Sequence, residues 1–277
     1  MLRRYALLIP LSAVAVSALA GQFWLKPARF WVQPGQSVHI RRLTGEHLQG
    51  AAWAGTSRRV TGFWHCAPGQ PVTNLLPAVT AADTLQTTIR LAQPGTHLLA
   101  LVTDNAFVTF SASNFAAYLQ QEGLDYAAAR RSLVGDTVQP VREAYRRCAK
   151  TLVQAGPALP RDTARAWGRV LGLPLELVPE QNPYTLLPGA AFTVRVLRAG
   201  QPVAGQQVVL WQRGNGVISV IGRLRSNQNG RILFRLSGAG EYLAGTVRME
   251  PAPKGISADW HSTWSTLSFG LADKKQR

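Results

Sequence analysis

Three residues near the carboxyl terminus have the types that form a hydrolytic triad. Asp259, His261 and Ser262 lie within four positions, and in such a triad a carboxylate orients an imidazole that takes the proton of a serine hydroxyl. The segment also reads as a strand, in which side chains point alternately to opposite faces. Asp259 and His261 could then share a face that Ser262 cannot reach. The segment therefore predicts a structural strand that contains no catalytic residue.

The sequence contains no other motif of an enzyme active site. The G-x-S-x-G, Walker, H-E-x-x-H and C-x-x-C patterns are absent, and Gly214-Asn215-Gly216 and Gly238-Ala239-Gly240 lack the rest of a dinucleotide fingerprint. We therefore predict a protein that is not an enzyme and has no cofactor-binding motif.

The only two cysteines are Cys66 and Cys148. An oxidising compartment would permit one disulfide between them, and a buried thiol at Cys148 is the alternative. Their spacing does not decide between the two. His65 beside Cys66 is a weak metal signal, because a metal site needs a second pair of ligands.

Tryptophan is the residue type that could bind sugars. Flat indole faces stack on sugar rings, and arginine side chains would bind the acidic groups of acidic sugars. The cores of β-sandwiches also contain tryptophan. A carbohydrate-type site requires at least three exposed indoles in one plane. The candidates for it are Trp31, Trp53, Trp211, Trp260 and Trp264.

Residues 1–20 have the composition of a secretory signal peptide. Arg3 and Arg4 precede an apolar run, and Ser17-Ala18-Leu19-Ala20 supplies small residues at the cleavage site. The run is too short to cross about 30 Å of hydrocarbon, and no second run follows, which predicts a periplasmic or secreted protein with no transmembrane segment in the mature chain.

The mature chain is strongly basic. Without Arg3 and Arg4 its formal charge is +14. In an exported protein this charge favours anionic envelope polymers, phospholipid head groups or acidic glycans as partners, and not nucleic acid.

Apolar runs separated by Pro and Gly predict a mainly β protein. Residues 85–91 alternate as a half-buried strand does, whereas residues 96–102 are apolar on both faces and belong at the centre of a sheet. Two helices are predicted to interrupt the strands at about residues 111–171. The first begins at Ser113 and ends at Gly123, and the second begins near Pro140. The second would place Val141, Tyr145, Cys148 and Leu152 on one face, with Arg142, Arg146 and Lys150 on a solvated face.

Residues 172–184 form a proline-rich hinge between two halves in which turns and strands follow each other in a similar order. A Pro-Gly turn leads into a strand at Pro34-Gly35 and again at Pro188-Gly189. The repetition predicts two immunoglobulin-like or prealbumin-like antiparallel β-sandwich modules with the helical insertion between them. The predicted boundaries are a signal peptide at 1–20, a first module at 21–171, a second at 172–271 and a basic tail at 272–277. We expect any ligand site beside the hinge.

Several segments together resemble one exported bacterial family, the NikM-like family. It is labelled as a periplasmic component of a cobalt or nickel uptake system of the ABC type and is formally a domain of unknown function. The resemblance covers nearly all of the mature chain. The matching segments, besides the hinge, are Phe23-Trp24-Leu25-Lys26-Pro27, Gly45-Glu46-His47-Leu48-Gln49-Gly50, Pro94-Gly95-Thr96-His97, residues 118–124, residues 147–152 and residues 259–267.

The resemblance implies a divalent transition metal as ligand and an envelope transport component as partner. It also implies His47, His97 and the neighbouring Glu46 as metal ligands, with His39 and His65 as further candidates. Two family histidines are missing, since Gly21-Gln22 precede Phe23 and Arg248 stands in Val247-Arg248-Met249. The predicted function is a non-catalytic binding or accessory protein of the envelope, associated with cobalt or nickel uptake. The alternative is a carbohydrate-type or protein-partner binding module.

Overall fold

The computed structural model describes residues 21–82, 86–135, 137–158 and 162–272. The predicted signal peptide and residues 273–277 of the predicted basic tail lie outside the described residues. No helix in these ranges is long and apolar enough to cross a membrane.

The described residues are mainly β, as the sequence predicts. The strands are β1 Gln22–Pro27, β2 Trp31–Val32, β3 Ser37–Glu46, β4 Gln49–Ala52, β5 Val60–Cys66, β6 Thr73–Asn74, β7 Gln86–Arg90, β8 Gly95–Thr103, β9 Ala106–Phe110, β10 Val141–Ala155, β11 Glu176–Pro179, β12 Ala191–Arg198, β13 Gln201–Pro202, β14 Gln207–Gly214, β15 Val217–Arg225, β16 Arg231–Arg235, β17 Gly240–Pro251 and β18 Trp260–Leu271. The helices are α1 Leu76–Ala82, α2 Ala112–Glu122 and α3 Asp125–Leu133, with single 3-10 turns at Ser57–Arg59, Ala166–Gly168 and Pro183–Thr185.

The strands form three sheets in three layers. The central sheet has the order β15-β14-β17-β18-β10-β8-β5-β6, and β2 and β9 also pair with β10. Strands β1, β3, β4 and β7 form the amino-terminal sheet, and β11, β12, β13 and β16 form the carboxy-terminal sheet. The two small sheets pack on opposite faces of the central sheet.

The central strands are apolar on both faces because both faces are covered. In β8, Leu98 and Ala100 pack in the core that includes the carboxy-terminal sheet. Leu99 and Leu101 pack in the core that includes the amino-terminal sheet. The predicted central position of residues 96–102 is therefore confirmed.

The central sheet contains strands from both halves of the chain. β10 of the first half pairs with β18 of the second half in parallel, from Glu143 opposite Trp260 to Thr151 opposite Ser268. Most other pairs are antiparallel. The predicted arrangement of two separate sandwich modules is not confirmed, because one continuous sheet crosses the proposed boundary.

The helix predicted to begin near Pro140 is wrong, because residues 141–155 form the long strand β10. Cys148 and Leu152 pack on one side of the sheet and Val141 and Tyr145 on the other. A strand buried on both faces can match helical spacing by chance. The predicted helical insertion is thus helical only in α2 and α3, where Gly123 ends α2 with a φ of 64° as predicted.

Candidate functional site

The structure does not bring the predicted metal ligands together. His97 is fully buried in β8, where its Nδ1 is 2.9 Å from His65 Nε2 and its Nε2 is 2.8 Å from the carbonyl oxygen of Gln93. Burial lowers the pKa of both imidazoles, that of His65 to about 4. Both nitrogens of His97 are thus engaged, and the two rings form a neutral pair.

His47 lies elsewhere, in the turn between β3 and β4. Its ring centroid is 5.9 Å from that of Trp211 in β14. β14 and β8 are four strand positions apart, or about 19 Å at the usual strand spacing. His39 hydrogen bonds to Thr88 through Nδ1 at 3.1 Å. Among the described residues, no three His, Cys, Asp or Glu side chains form a group that could hold a metal, so Glu46, His47 and His97 do not converge.

The cysteines are buried free thiols. β8 lies between β5, which carries Cys66, and β10, which carries Cys148. Two strand spacings of about 4.8 Å exceed the Cα separation of about 7 Å that a disulfide spans. Burial raises the pKa of Cys66 and raises that of Cys148 to about 12. Cys66 and Cys148 are therefore buried thiols, which was the alternative to a disulfide.

The residues with triad types have separate structural roles, as predicted. The Asp259 carboxylate accepts a hydrogen bond from the backbone N–H of Arg142 at 2.7 Å. His261 Nε2 is 3.0 Å from Asn105 Oδ1. The Ser262 hydroxyl donates to Glu143. None of these contacts joins two of the three residues.

The tryptophans do not form an exposed platform. All eight lie within the described ranges. Trp53, Trp211, Trp260 and Trp264 are buried with at most 7% of their surface exposed, and Trp31 is half-buried. The plane of three exposed indoles that a carbohydrate-type site of this kind requires is therefore absent, and the four buried rings pack in the cores.

A cavity of about 790 Å³ lies beside the hinge. Its walls come from both halves of the chain. Arg146 of β10, Gly172 and Pro174 of the hinge, Arg198 at the end of β12 and Arg248 of β17 contribute to it, together with the segment from Gln201 to Ala204. We call it the arginine pocket, after Arg146, Arg198 and Arg248.

Two of these arginines hold one carboxylate. Arg198 Nη2 is 2.6 Å from Glu250 Oε2, and Arg248 Nη2 is 3.1 Å from Glu250 Oε1. The three side chains are between 32% and 49% exposed. The pair of contacts leaves Glu250 as the common acceptor of both guanidinium groups.

Arg146 is the third guanidinium of the pocket. It is half-buried, and its Nε donates to Thr263 Oγ1 at 3.1 Å. In the described ranges its two terminal nitrogens have no hydrogen bond or ion pair. Burial is the main cause that lowers its pKa, and the positive charge of Arg198 acts in the same direction. Three positive charges against one carboxylate therefore give the pocket a net positive charge, with Arg146 free to bind an anion.

The neighbouring imidazole does not add a further charge at neutral pH. Burial lowers the pKa of His261, and the charges of Arg146 and Arg198 lower it further. The positive field of the pocket thus comes from its arginines.

A second groove of about 550 Å³ adjoins the arginine pocket and shares Ala204 and Arg248 with it. It runs between the segment that follows Ala204 and the start of α3, where Arg225 pairs with Asp125 at 2.6 Å. The two hollows together could hold a ligand longer than one sugar unit.

The cavity lies in the neighbourhood where the sequence leads us to expect a ligand site, but its residues were not expected as ligands. The hinge was the expected neighbourhood, and Gly172 and Pro174 do line the cavity. Arg146 was predicted on the solvated face of a helix, and Arg248 was noted only as a substitute for a family histidine. The pocket arginines lie about 50 residues apart along the chain, and only the order of the strands brings them together.

Comparisons with known proteins identify a family but no activity. The sequence model of a family described as "Domain of unknown function (DUF4198)" matches residues 18–250. The search of curated proteins gives no match. Nothing in these comparisons tests the finer resemblance to the NikM-like family or to cobalt and nickel uptake, which stays a prediction.

Solved structures align with the chain only at low scores. The D0-D1 domain of Intimin gives a TM-score of 0.22 at 10% identity and covers 91% of this chain and 98% of that chain. A structure titled as carbohydrate-binding modules of the beta-sandwich super family gives 0.22 at 10% identity, with 93% and 94% covered. At such scores the alignments carry no argument about function.

Proposed function

The chain belongs to the DUF4198 family, and we propose that it is an exported, non-catalytic binding protein for an acidic glycan of the cell envelope. The observation that carries the proposal is the arginine pocket. Three guanidinium groups line a cavity of about 790 Å³, and two of them, those of Arg198 and Arg248, share one carboxylate, Glu250. Guanidinium groups bind carboxylates through paired, charge-assisted hydrogen bonds.

The charge of the pocket favours an anion over a metal cation. Arg146 has no acidic partner at its terminal nitrogens in the described ranges, and a cation would have to displace Arg198 and Arg248 to reach Glu250. The whole mature chain adds a formal charge of +14 in the same direction. The described residues contain no group of metal ligands that would support the expected association with cobalt or nickel uptake, which therefore stays a prediction.

The size and openness of the site favour an extended ligand. The pocket continues into the groove beside α3, and both hollows share Arg248. No tryptophan lines either hollow, so stacking on an indole does not supply the recognition there, and the arginines supply charged contacts. Such binding weakens at high salt, since the Debye length is about 10 Å at 0.1 M ionic strength.

Isothermal titration of the mature protein tests the proposal. The ligands are an oligogalacturonate and a neutral cello-oligosaccharide of equal length. We expect binding of the acidic chain alone, and we expect the variant Arg146→Gln to weaken it at least tenfold, which corresponds to about 1.4 kcal/mol.

The matched control is Arg235→Gln, which removes one positive charge from the exposed face of β16. The affinity of this variant for the acidic chain should stay within about twofold of the wild-type value. Arg235 does not line the pocket, and salt screens the charge of an exposed side chain. Equal binding of the neutral sugar, or equal losses in the two variants, would contradict the proposal. Circular dichroism of both variants checks that each one is folded.

A further inference from the structure

Glu250 lines the groove that adjoins the arginine pocket and contacts two of the pocket arginines, Arg198 and Arg248, because of the alternation along β17. Val247 and Met249 point to the core beneath α2 and α3. Arg248 and Glu250 point to the opposite face and contact each other at 3.1 Å. Glu250 is the residue before Pro251, which ends the strand. Its side chain therefore lies at the end of a strand, where its ion pairs hold it.

The two oxygens of Glu250 are bound by arginines from two different strands. Oε2 accepts from Arg198 Nη2 at 2.6 Å, and Oε1 accepts from Arg248 Nη2 at 3.1 Å and Nε at 3.3 Å. A planar carboxylate thus fills the position where the two guanidinium groups converge. Each oxygen thus has its own arginine, and both contacts are charge-assisted hydrogen bonds.

The contacts of Glu250 are open to exchange. Arg198, Arg248 and Glu250 are each about one third to one half exposed, and ion pairs in such positions contribute little to stability. Arg146, whose terminal nitrogens have no partner in the described ranges, lines the same cavity. A ligand carboxylate could therefore bind first to Arg146 and then take the place of Glu250.

On the basis of the proposed function, we propose that Glu250 is an internal competitor that occupies the position of the ligand carboxylate, so that the pocket selects uronate units. The side chain of Glu250 has the planar, singly charged group that a uronate presents. When the ligand carboxylate replaces that of Glu250, both arginines remain paired and Glu250 is released to water. A sulfate ester, which is tetrahedral, would match the two arginines less well.

The variant Glu250→Gln tests this directly. It keeps the size of the side chain and removes the competing charge. The affinity for an oligogalacturonate should rise roughly tenfold, because the fraction of molecules with a free site rises. A sulfated oligosaccharide of equal length should bind more weakly than the uronate to both wild type and variant.

Glu180→Gln is the matched control. Both oxygens of Glu180 accept from an arginine, at 2.9 Å from Arg231 Nε, but Glu180 and Arg231 line neither the pocket nor the groove. Its loss should leave the affinity unchanged. An equal gain in the control would mean that net charge alone acts, and this result would overturn the proposal.

The remaining outcomes separate this inference from the proposed function. Weaker uronate binding by Glu250→Gln would make Glu250 a positioning residue and overturn the competitor role, while binding by wild type would uphold the proposed function. Tighter binding of the sulfated chain would overturn the selection of uronates. If neither wild type nor Glu250→Gln bound any acidic chain, the proposed function would fail together with this inference.

Discussion

Glu143 is a carboxylic acid enclosed between α2 and the central sheet. It is fully buried, and its Oε1 accepts hydrogen bonds from Ser262 and from the hydroxyl of Tyr118, the latter at 3.3 Å. Its Oε2 has no partner among the described residues. Burial raises the pKa of Glu143 from 4.5 to about 7. The folded protein therefore holds a proton there at a pH at which an unfolded chain has lost it.

This shift predicts a pH dependence of stability. A carboxyl group with a raised pKa stabilises the fold fully below pH 4.5, and this contribution is lost as the pH rises to about 7. The contribution of Glu143 to the free energy of unfolding should fall by about 3 kcal/mol across that window. Glu122, whose pKa burial also raises to about 7, and the buried His65 and His97 titrate as well, so urea denaturation at several pH values is compared between variants. The difference in the free energy of unfolding between wild type and Glu143→Gln should change by about 3 kcal/mol across the window, whereas the difference between wild type and Asp104→Asn, at a half-exposed carboxylate, should stay nearly constant.

An equally steep fall in Glu143→Gln would contradict the assignment to this residue. The sequence could not have predicted the group, because the segment that begins near Pro140 was expected to form a helix. In the strand that forms instead, its side chain turns toward Ser262 of β18, more than 100 residues away. Burial of a single acid depends on such distant contacts.

The hinge is fixed to the central sheet by a buried ion pair. Lys150 Nζ of β10 lies 2.5 Å from Glu176 Oε1 of β11, and both side chains are at most 1% exposed. The Glu176 carboxylate also accepts hydrogen bonds from the backbone N–H groups of Leu171, Gly172 and Leu173. The same loop supplies Gly172, with a φ of 69°, to the wall of the arginine pocket. The pair thus anchors an element that shapes the site.

Removal of one partner should destabilise the protein strongly. Lys150→Met leaves the charge of Glu176 buried without its cation, and we expect a loss of about 3–5 kcal/mol in the free energy of unfolding. The exposed pair of Arg231 and Glu180 is the comparison, and Arg231→Met should cost under about 1 kcal/mol. Urea denaturation at pH 7 measures both. Similar losses in the two variants would mean that the buried pair has no special role.

Strands that are apolar on both faces were predicted best. Residues 96–102 contain few polar residues. A strand that is apolar on both faces must be covered on both faces, which places it at the centre of a sheet. β10 contains Arg142, Arg146 and Lys150, which look like one solvated helix face. Only the sheet order shows that Lys150 is buried against Glu176 and that Arg146 lines a pocket. Local periodicity cannot contain this information, since the partners come from the second half of the chain.

The whole molecule is organised by the central sheet that joins the two halves. The parallel pairing of β10 with β18 closes this sheet, and the arginine pocket lies where β10, the hinge and β17 meet. The sequence placed a ligand site beside the hinge, and the cavity lies there. The predicted metal residues His47 and His97 lie on different parts of the sheet. A ligand site beside the hinge stays a prediction, and the arginines that line the cavity there were not expected as ligands.

The most direct test of the account is a map of ligand contacts on the wild-type mature protein. Amide chemical shifts measured by NMR during titration with an oligogalacturonate provide it. We expect the largest shifts on the backbone around Arg146, Gly172, Arg198 and Arg248, with smaller ones along the groove beside α3. Largest shifts around His47 and Trp211, or no shifts with any acidic chain, would contradict the proposed function.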